Sequence, residues 1–242
     1  MLEDEYQRMY DFEENYWWFK GKRHLLKTFF LKYYRGRPKV LDIGCGTGIV
    51  MKEFKKVCDI SGVDFSKEAI TFCKNRGLVK VKEGDAMDLP YDSNSFEAVF
   101  ILDVMYHKWI LNDVKVMKEI HRVLKKNGEV FITDSAFPML WGKHDVASQA
   151  ARRYTKKDLQ QKLELAGFEI EKISYFNFFL FPLVFIMRKL SNLLSGAPKT
   201  DLKPLPGFIN GALYGLLKIE TMMVSLISLP FGVSIFCVAR KI

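Results

Sequence analysis

The segment Val40-Leu41-Asp42-Ile43-Gly44-Cys45-Gly46-Thr47-Gly48 joins a short apolar run to a helix through a glycine-rich turn. Glycines let backbone approach a ligand closely, and the N-terminus of the new helix favours negative charge. Alone, such a turn suits NAD, a flavin, or no ligand at all. Three features narrow the chemistry. The spacing is G-x-G-x-G, with Ile49 where a dinucleotide fingerprint has its third glycine. Asp42 precedes the glycines, and a carboxylate there suits an ammonium rather than a pyrophosphate. The next apolar run ends in Gly62-Val63-Asp64, which offers a carboxylate to a ribose diol. Further on, Gly84-Asp85-Ala86-Met87-Asp88-Leu89-Pro90 places Asp85 to accept from an exocyclic adenine amine. The set asks for a ligand with a nucleoside end and an amino-acid end.

A second group lies at Asp103-Val104-Met105-Tyr106-His107. His107 is the first candidate for a general base, and Tyr106, His24 and His144 are weaker ones. The competing reading of His107 is a structural histidine opening the next helix. The run Asn15-Tyr16-Trp17-Trp18-Phe19-Lys20-Gly21-Lys22-Arg23 is expected to fold over the ligand, with Arg23, Lys20 and Lys22 available to an anionic group. Cys45, Cys58, Cys73 and Cys237 form no CxxC pair and have no histidine at ligand spacing. No metal site is expected, and the cysteines read as reduced thiols of an intracellular protein.

The elements that must hold these residues alternate in type. Val40–Ile43, Asp59–Asp64, Val79–Glu83, Phe96–Leu102 and Glu129–Asp134 read as strands, and a long strand follows Gly167 through about Phe178. Helices are expected through Ile49–Lys56, from the cap Ser66 to Asn75, over Leu111–Lys125, and from the cap Thr155 to Gly167. This alternation predicts an α/β, doubly wound parallel sheet with ligands at the carboxyl ends of its strands. The chain divides into a helical cap at 1–37, a core at 38–178, a hydrophobic helical insertion at 179–230 and a last strand at 231–242. Thr221–Ala239 holds no charged residue, the length of a membrane span, but Pro230-Phe231-Gly232 breaks it into helix, turn and strand.

At this point VLDIGCGTG, GVDFS, GDAMDLPYDSNSFEAVF and LKKNGEVFI resemble the successive motifs of class I S-adenosylmethionine-dependent methyltransferases, in their small-molecule, methyltransferase type 11-like branch. The resemblance covers about residues 38–178. It implies a Rossmann-like seven-stranded sheet with an antiparallel last strand, and S-adenosyl-L-methionine as cofactor. Gly44, Cys45, Gly46 and Gly48 would line the methionine part, and Asp42 would meet its amino group. Asp64 would bind the ribose hydroxyls. Phe65 and Met87 would flank the adenine, although both also read as ordinary core residues. Asp85 would take the adenine amine and the Ala86 amide a ring nitrogen. No N/D-P-P-Y/F run follows the fourth strand, which argues against amine methyltransferases that use one.

The chain has 242 residues, 37 Lys and Arg, 28 Asp and Glu, and a net charge of +9. Residues 1–135 hold 23 basic and 21 acidic side chains, and residues 136–242 hold 14 and 7. Composition excludes a disordered chain and a polytopic membrane protein. A basic, apolar last part suits a hydrophobic or lipid-like small-molecule acceptor, and the insertion reads as a lid, a membrane-docking face or a homodimer interface. The basic residues are mixed with apolar ones rather than striped, which argues against nucleic acid. The N-terminus has neither a basic start nor an apolar core, so it does not read as a signal peptide. The expectation is a cytoplasmic protein with peripheral membrane contact. The competing classes are an RNA methyltransferase, a nicotinamide-dependent oxidoreductase, which Ile49 and Asp42 disfavour, and a non-catalytic cofactor-binding or membrane-associated regulatory protein.

Overall fold

The computed structural model describes residues 3–193 and 202–242. The part of the expected insertion over 194–201 lies outside the described residues. The elements run α1 (Glu3–Phe12), α2 (Trp17–Tyr33), β1 (Lys39–Ile43), α3 (Ile49–Phe54), β2 (Asp59–Asp64), α4 (Lys67–Asn75), β3 (Val81–Glu83), β4 (Phe96–Leu102), α5 (Asp113–Val123) and β5 (Leu124–Ser135). A 3₁₀ turn at Pro138–Leu140 and α6 (Lys143–Ala147) follow, then α7 (Lys156–Leu165), β6 (Phe168–Phe176), α8 (Phe181–Leu193), α9 (Gly207–Leu226) and β7 (Ser234–Lys241).

The strands form one sheet in the order β3-β2-β1-β4-β5-β7-β6. β7 pairs antiparallel with both neighbours, and the β3-β2-β1-β4-β5 pairs are parallel. The expected α/β sheet with an antiparallel last strand is therefore present. Its strand order reverses at β1, between β2 and β4, and that switch point is where a ligand crevice opens.

Alternation along each strand builds two cores. Val40, Phe100, Phe131 and Phe236 face one way and meet Leu25, Leu26, Phe29 and Phe30 of α2 with Leu217 and Val224 of α9. Leu41, Val99, Ile132 and Ile235 face the other way, against Val116, Met117 and Ile120 of α5 and Leu159 and Leu163 of α7. Each such side chain contributes about 1.5–3 kcal/mol by leaving water. The caps fall as expected: Ser66 Oγ accepts from Ala69 N at 3.3 Å, and Thr155 Oγ1 from Asp158 N at 3.2 Å.

Several boundaries move. β3 starts at Val81, because Val79 stands out in solvent. α5 stops at Val123, since Leu124 already pairs with Phe96 and lengthens β5 backwards. β6 ends at Phe176, where Asn177 turns to φ +61°. β7 starts at Ser234 rather than 231, because Gly232 is pressed against the Phe176 backbone, where no Cβ fits. Among the described residues no helix is long and apolar enough to cross a membrane.

Candidate cofactor and acceptor site

The glycine turn leaves the carboxyl end of β1 at the switch point. Gly44 N and Cys45 N both donate to Val63 O, at 2.8 and 3.1 Å, which folds the turn back onto β2. Gly44 and Gly46 adopt φ +67° and +52°, a region that penalises a side chain. A Cβ on Gly44 would run into Val104. Gly48 is the left-handed N-cap of α3. Cys45 sits in the turn as expected, with its thiol buried 3.9 Å from the Cys73 thiol. Its side chain belongs to the core, and only its backbone belongs to the turn.

Asp64 ends β2 beneath the turn. Its Oδ2 accepts from Gly46 N at 2.8 Å and its Oδ1 from Ser66 N at 3.0 Å. Burial raises its pKa. Each oxygen keeps a further lone pair for a ligand. Asp42 is buried, and among the described residues its Oδ2 has no partner. Burial, and then the neighbouring Asp64, push its pKa up to about 8. Two buried carboxylates, each with its proton affinity raised by burial, suit a cationic ligand. S-adenosylmethionine carries a sulfonium and an ammonium, so this chain's residues fit the group.

The adenine end is assembled beside it. Gly84 N donates to Asp64 O at 3.0 Å, tying the end of β3 to β2. Asp85 Oδ1 accepts from Met87 N at 2.8 Å, which shapes the turn through Ala86. Ala86 and Met87 are half-buried against the core. Phe65 is 71% exposed next to Asp64, with its ring face open to a flat partner.

The run Asn15–Arg23 lies partly on the core and partly beside the site. Trp17 and Trp18 pack on the α2–α9 core, and Arg23 is spent on Glu53 Oε2 at 2.7 Å and the Glu13 and Glu14 carbonyls. Lys22 pairs with Asp103 and lies 4.3 Å from the Trp18 ring centre. The segment against the turn is α1. Met9 Cε comes to 2.9 Å from where a Gly46 Cβ would stand. Glu13, buried after α1, accepts from Thr47 Oγ1 and from Arg76 Nη2 at 2.6 Å. α1 lies within the helical cap expected over 1–37, and its particular contacts join residues far apart in sequence.

The carboxyl ends of β4 and β5 carry the other groups. Asp103 takes φ +57° and donates its N–H to Thr133 O at 2.8 Å. Asp134 is fully buried, and among the described residues its Oδ2 has no partner. Burial and then Asp103 raise its pKa. Asp134 was not expected; its position at a strand end was the available signal. His107 is buried and stacked on Tyr106 at 4.2 Å, and burial lowers its pKa to about 4. That makes it a weak proton acceptor, and burial likewise raises the Tyr106 phenol. His24 sits instead in a cleft between α2 and α9, 6.3 Å from the Tyr214 ring. His144 lies in α6, 3.3 Å from Ser148 Oγ.

Aromatic rings crowd the same rim above β5, β7 and β6. Phe137 stacks on Tyr175 at 4.4 Å and meets Phe181 edge-on at 5.7 Å. Phe231 stacks on Phe178 at 4.4 Å and reaches Phe181 at 5.1 Å. α8 is fastened there by buried charge: Asp145 binds Arg153 at 2.7 Å and Arg188 at 2.8 Å. Among the described residues no His, Cys, Asp and Glu group could hold a metal ion.

A glycine turn with two buried carboxylates beside it thus lies at the switch point of this sheet. The family model described as a methyltransferase domain matches residues 41–132 of this chain. The demethylmenaquinone methyltransferase of Staphylococcus aureus is 32% identical over 114 residues, 44% of this chain and 46% of that protein. The match thus spans about half the length of this curated relative. Among solved structures, an S-adenosylmethionine-dependent methyltransferase of Thermotoga maritima, titled a possible histamine N-methyltransferase, is similar with TM-score 0.60 and 18% identity over 99% of this chain and 96% of that one. One from Methanosarcina mazei gives 0.59 and 15% over 88% and 97%. The [4+2]-cyclase SpnF gives 0.55 and 19% over 90% and 80%, so this fold alone does not dictate the reaction.

Proposed function

We propose that the protein transfers a methyl group from S-adenosylmethionine to a small, hydrophobic, quinone-like or lipid-like acceptor. The observation that carries the acceptor class is the aromatic rim of Phe137, Tyr175, Phe178, Phe181 and Phe231 beyond the cofactor turn. Flat apolar rings pack on such rings. The partial match to a demethylmenaquinone methyltransferase points the same way.

The sulfonium brings its own activated methyl when bound. The chain's part is to hold and orient. Asp64 and Asp85 grip the nucleoside, Phe65 and Met87 flank the base, and Asp42 faces the ammonium across the turn of Gly44, Gly46 and Gly48. α1, through Met9 and Glu13, keeps water off that turn. α8 and the rim enclose the acceptor. Where the acceptor must lose a proton, the groups at hand are His107 and Asp134. Asp134 suits the task better, because its environment raises its proton affinity while that of His107 is lowered. The residues before β1 serve as a cap, and those between β6 and β7 as the acceptor-side lid. The four buried thiols suit a reducing compartment, and we assign the protein to the cytoplasm.

The test is transfer of labelled methyl from S-adenosylmethionine to two acceptors, a prenylated naphthoquinol and water-soluble histamine. Label in the organic extract is the expected result. Label on histamine alone overturns the acceptor class.

A further inference from the structure

We propose that the outer face of α9, with the cationic cleft beside it, docks on a bilayer surface bearing anionic phospholipids. This goes beyond the acceptor reading and does not depend on it.

α9 is apolar on both sides. Its inner face gives Leu217 and Val224 to the core. Its outer face presents Phe208, Gly211, Gly215, Ile219, Met222 and Leu226, spaced three and four apart along the helix. Phe208, Ile219, Met222 and Leu226 are 79%, 55%, 67% and 83% exposed. No described atom stands within 4 Å of a Cβ placed on Gly211 or Gly215. A helix so exposed leaves apolar area in water that an interface would cover.

The charge beside the stripe says which interface. Tyr214 and Lys218 flank it on the same helix. Tyr214 enters a cleft of about 220 Å³ with Lys20, Arg23, His24 and Lys27 of α2 and Glu53. Lys20 Nζ lies 4.6 Å from the Tyr214 ring centre and Lys218 Nζ 5.8 Å. Glu53 occupies Arg23 at 2.7 Å and stands 3.9 Å from Lys27. Lys20 and Lys218 therefore carry charge on flexible stems over a tyrosine, beside an apolar stripe. That is the composition of a helix lying in a lipid interface, with phosphate groups meeting the lysines. No described helix can cross, so contact is with one leaflet. A second copy docked by the same face would bring its own Lys20 and Lys218 against these, and like charge opposes that pairing.

Flotation of the full chain with vesicles tests it, using phosphatidylcholine alone and phosphatidylcholine mixed with phosphatidylglycerol. The protein is expected to float with the anionic vesicles only, and less as salt rises. Lys20→Gln and Lys218→Gln should each lower partition roughly fivefold. The pair Ile219→Glu and Met222→Glu should abolish it, with S-adenosylmethionine binding and melting temperature kept as folding controls. Absent flotation of the folded protein, or equal flotation with both vesicles, overturns the proposal. So does a dimer in solution that the paired glutamates dissociate without any vesicle binding.

Discussion

At the residue scale, the site turns on two buried carboxylates, Asp42 and Asp64. Asp64→Ala should weaken S-adenosylmethionine binding by roughly ten- to a hundredfold, about 1.5–3 kcal/mol, measured by calorimetry. Asp42 makes a second, independent prediction. Its pKa is pushed up to about 8 with the site open, so near pH 7 it is mostly protonated. A cationic ligand favours the ionised form, so binding near pH 7 should release close to one proton. Calorimetry in two buffers of different ionisation enthalpy reads that number directly. Asp42→Asn should abolish the release, and a wild type that releases none contradicts the pairing of Asp42 with the ligand's positive end. These residues were legible in the sequence because each sits at a strand end, where a carboxylate needs a reason to be. The contact of the Cys45 thiol with Cys73 of α4 was not legible, because nothing local announces it. Asp134 also sits near a strand end, the one signal the sequence offered, and its unpartnered oxygen becomes visible only in three dimensions.

At the element scale, α2 and α9 share one seam. A Cβ on Gly21 would collide with the Leu217 side chain, so Gly21→Ala should overpack the seam and cost about 1–3 kcal/mol in a denaturant titration. α9 also holds the end of β6 through Glu220, which accepts from Phe178 N while its Oε2 stays unpartnered among the described residues. Burial raises the Glu220 pKa to about 7 from 4.5. The folded state therefore binds that proton more tightly than the unfolded chain. The stability it brings is full below the unfolded value and is lost as pH rises through about 7. Glu220→Gln should flatten that decline in melting temperature; an unchanged profile would remove Glu220 as its source. The order of strands and helices was legible because hydrophobic period and capping residues agree with the sheet. A helical cap over 1–37 was legible too, but its contacts through Met9, Glu13 and Arg76 were not, because they act across the chain and no short motif encodes them.

At the scale of the whole molecule, the Arg153–Asp145–Arg188 cluster joins α8 to the connection between β5 and α7. Removing the acid takes the shared carboxylate away from both guanidiniums, of which Arg153 is deeply buried. Asp145→Ala should cost about 3–5 kcal/mol, read as a shift in the denaturation midpoint. The basic excess of residues 136–242 was plain in the composition. Its gathering with α2 lysines around Tyr214 required the tertiary fold. The position of β7 has a consequence for biosynthesis. It lies between β5 and β6, yet it follows every other strand in chain order. While the ribosome is still making it, β5 and β6 each present an unpaired edge across an empty slot. The nascent chain can thus assemble its cofactor half early, whereas closure of the sheet waits for its final strand. Chaperone dependence and aggregation during synthesis should concentrate in that interval.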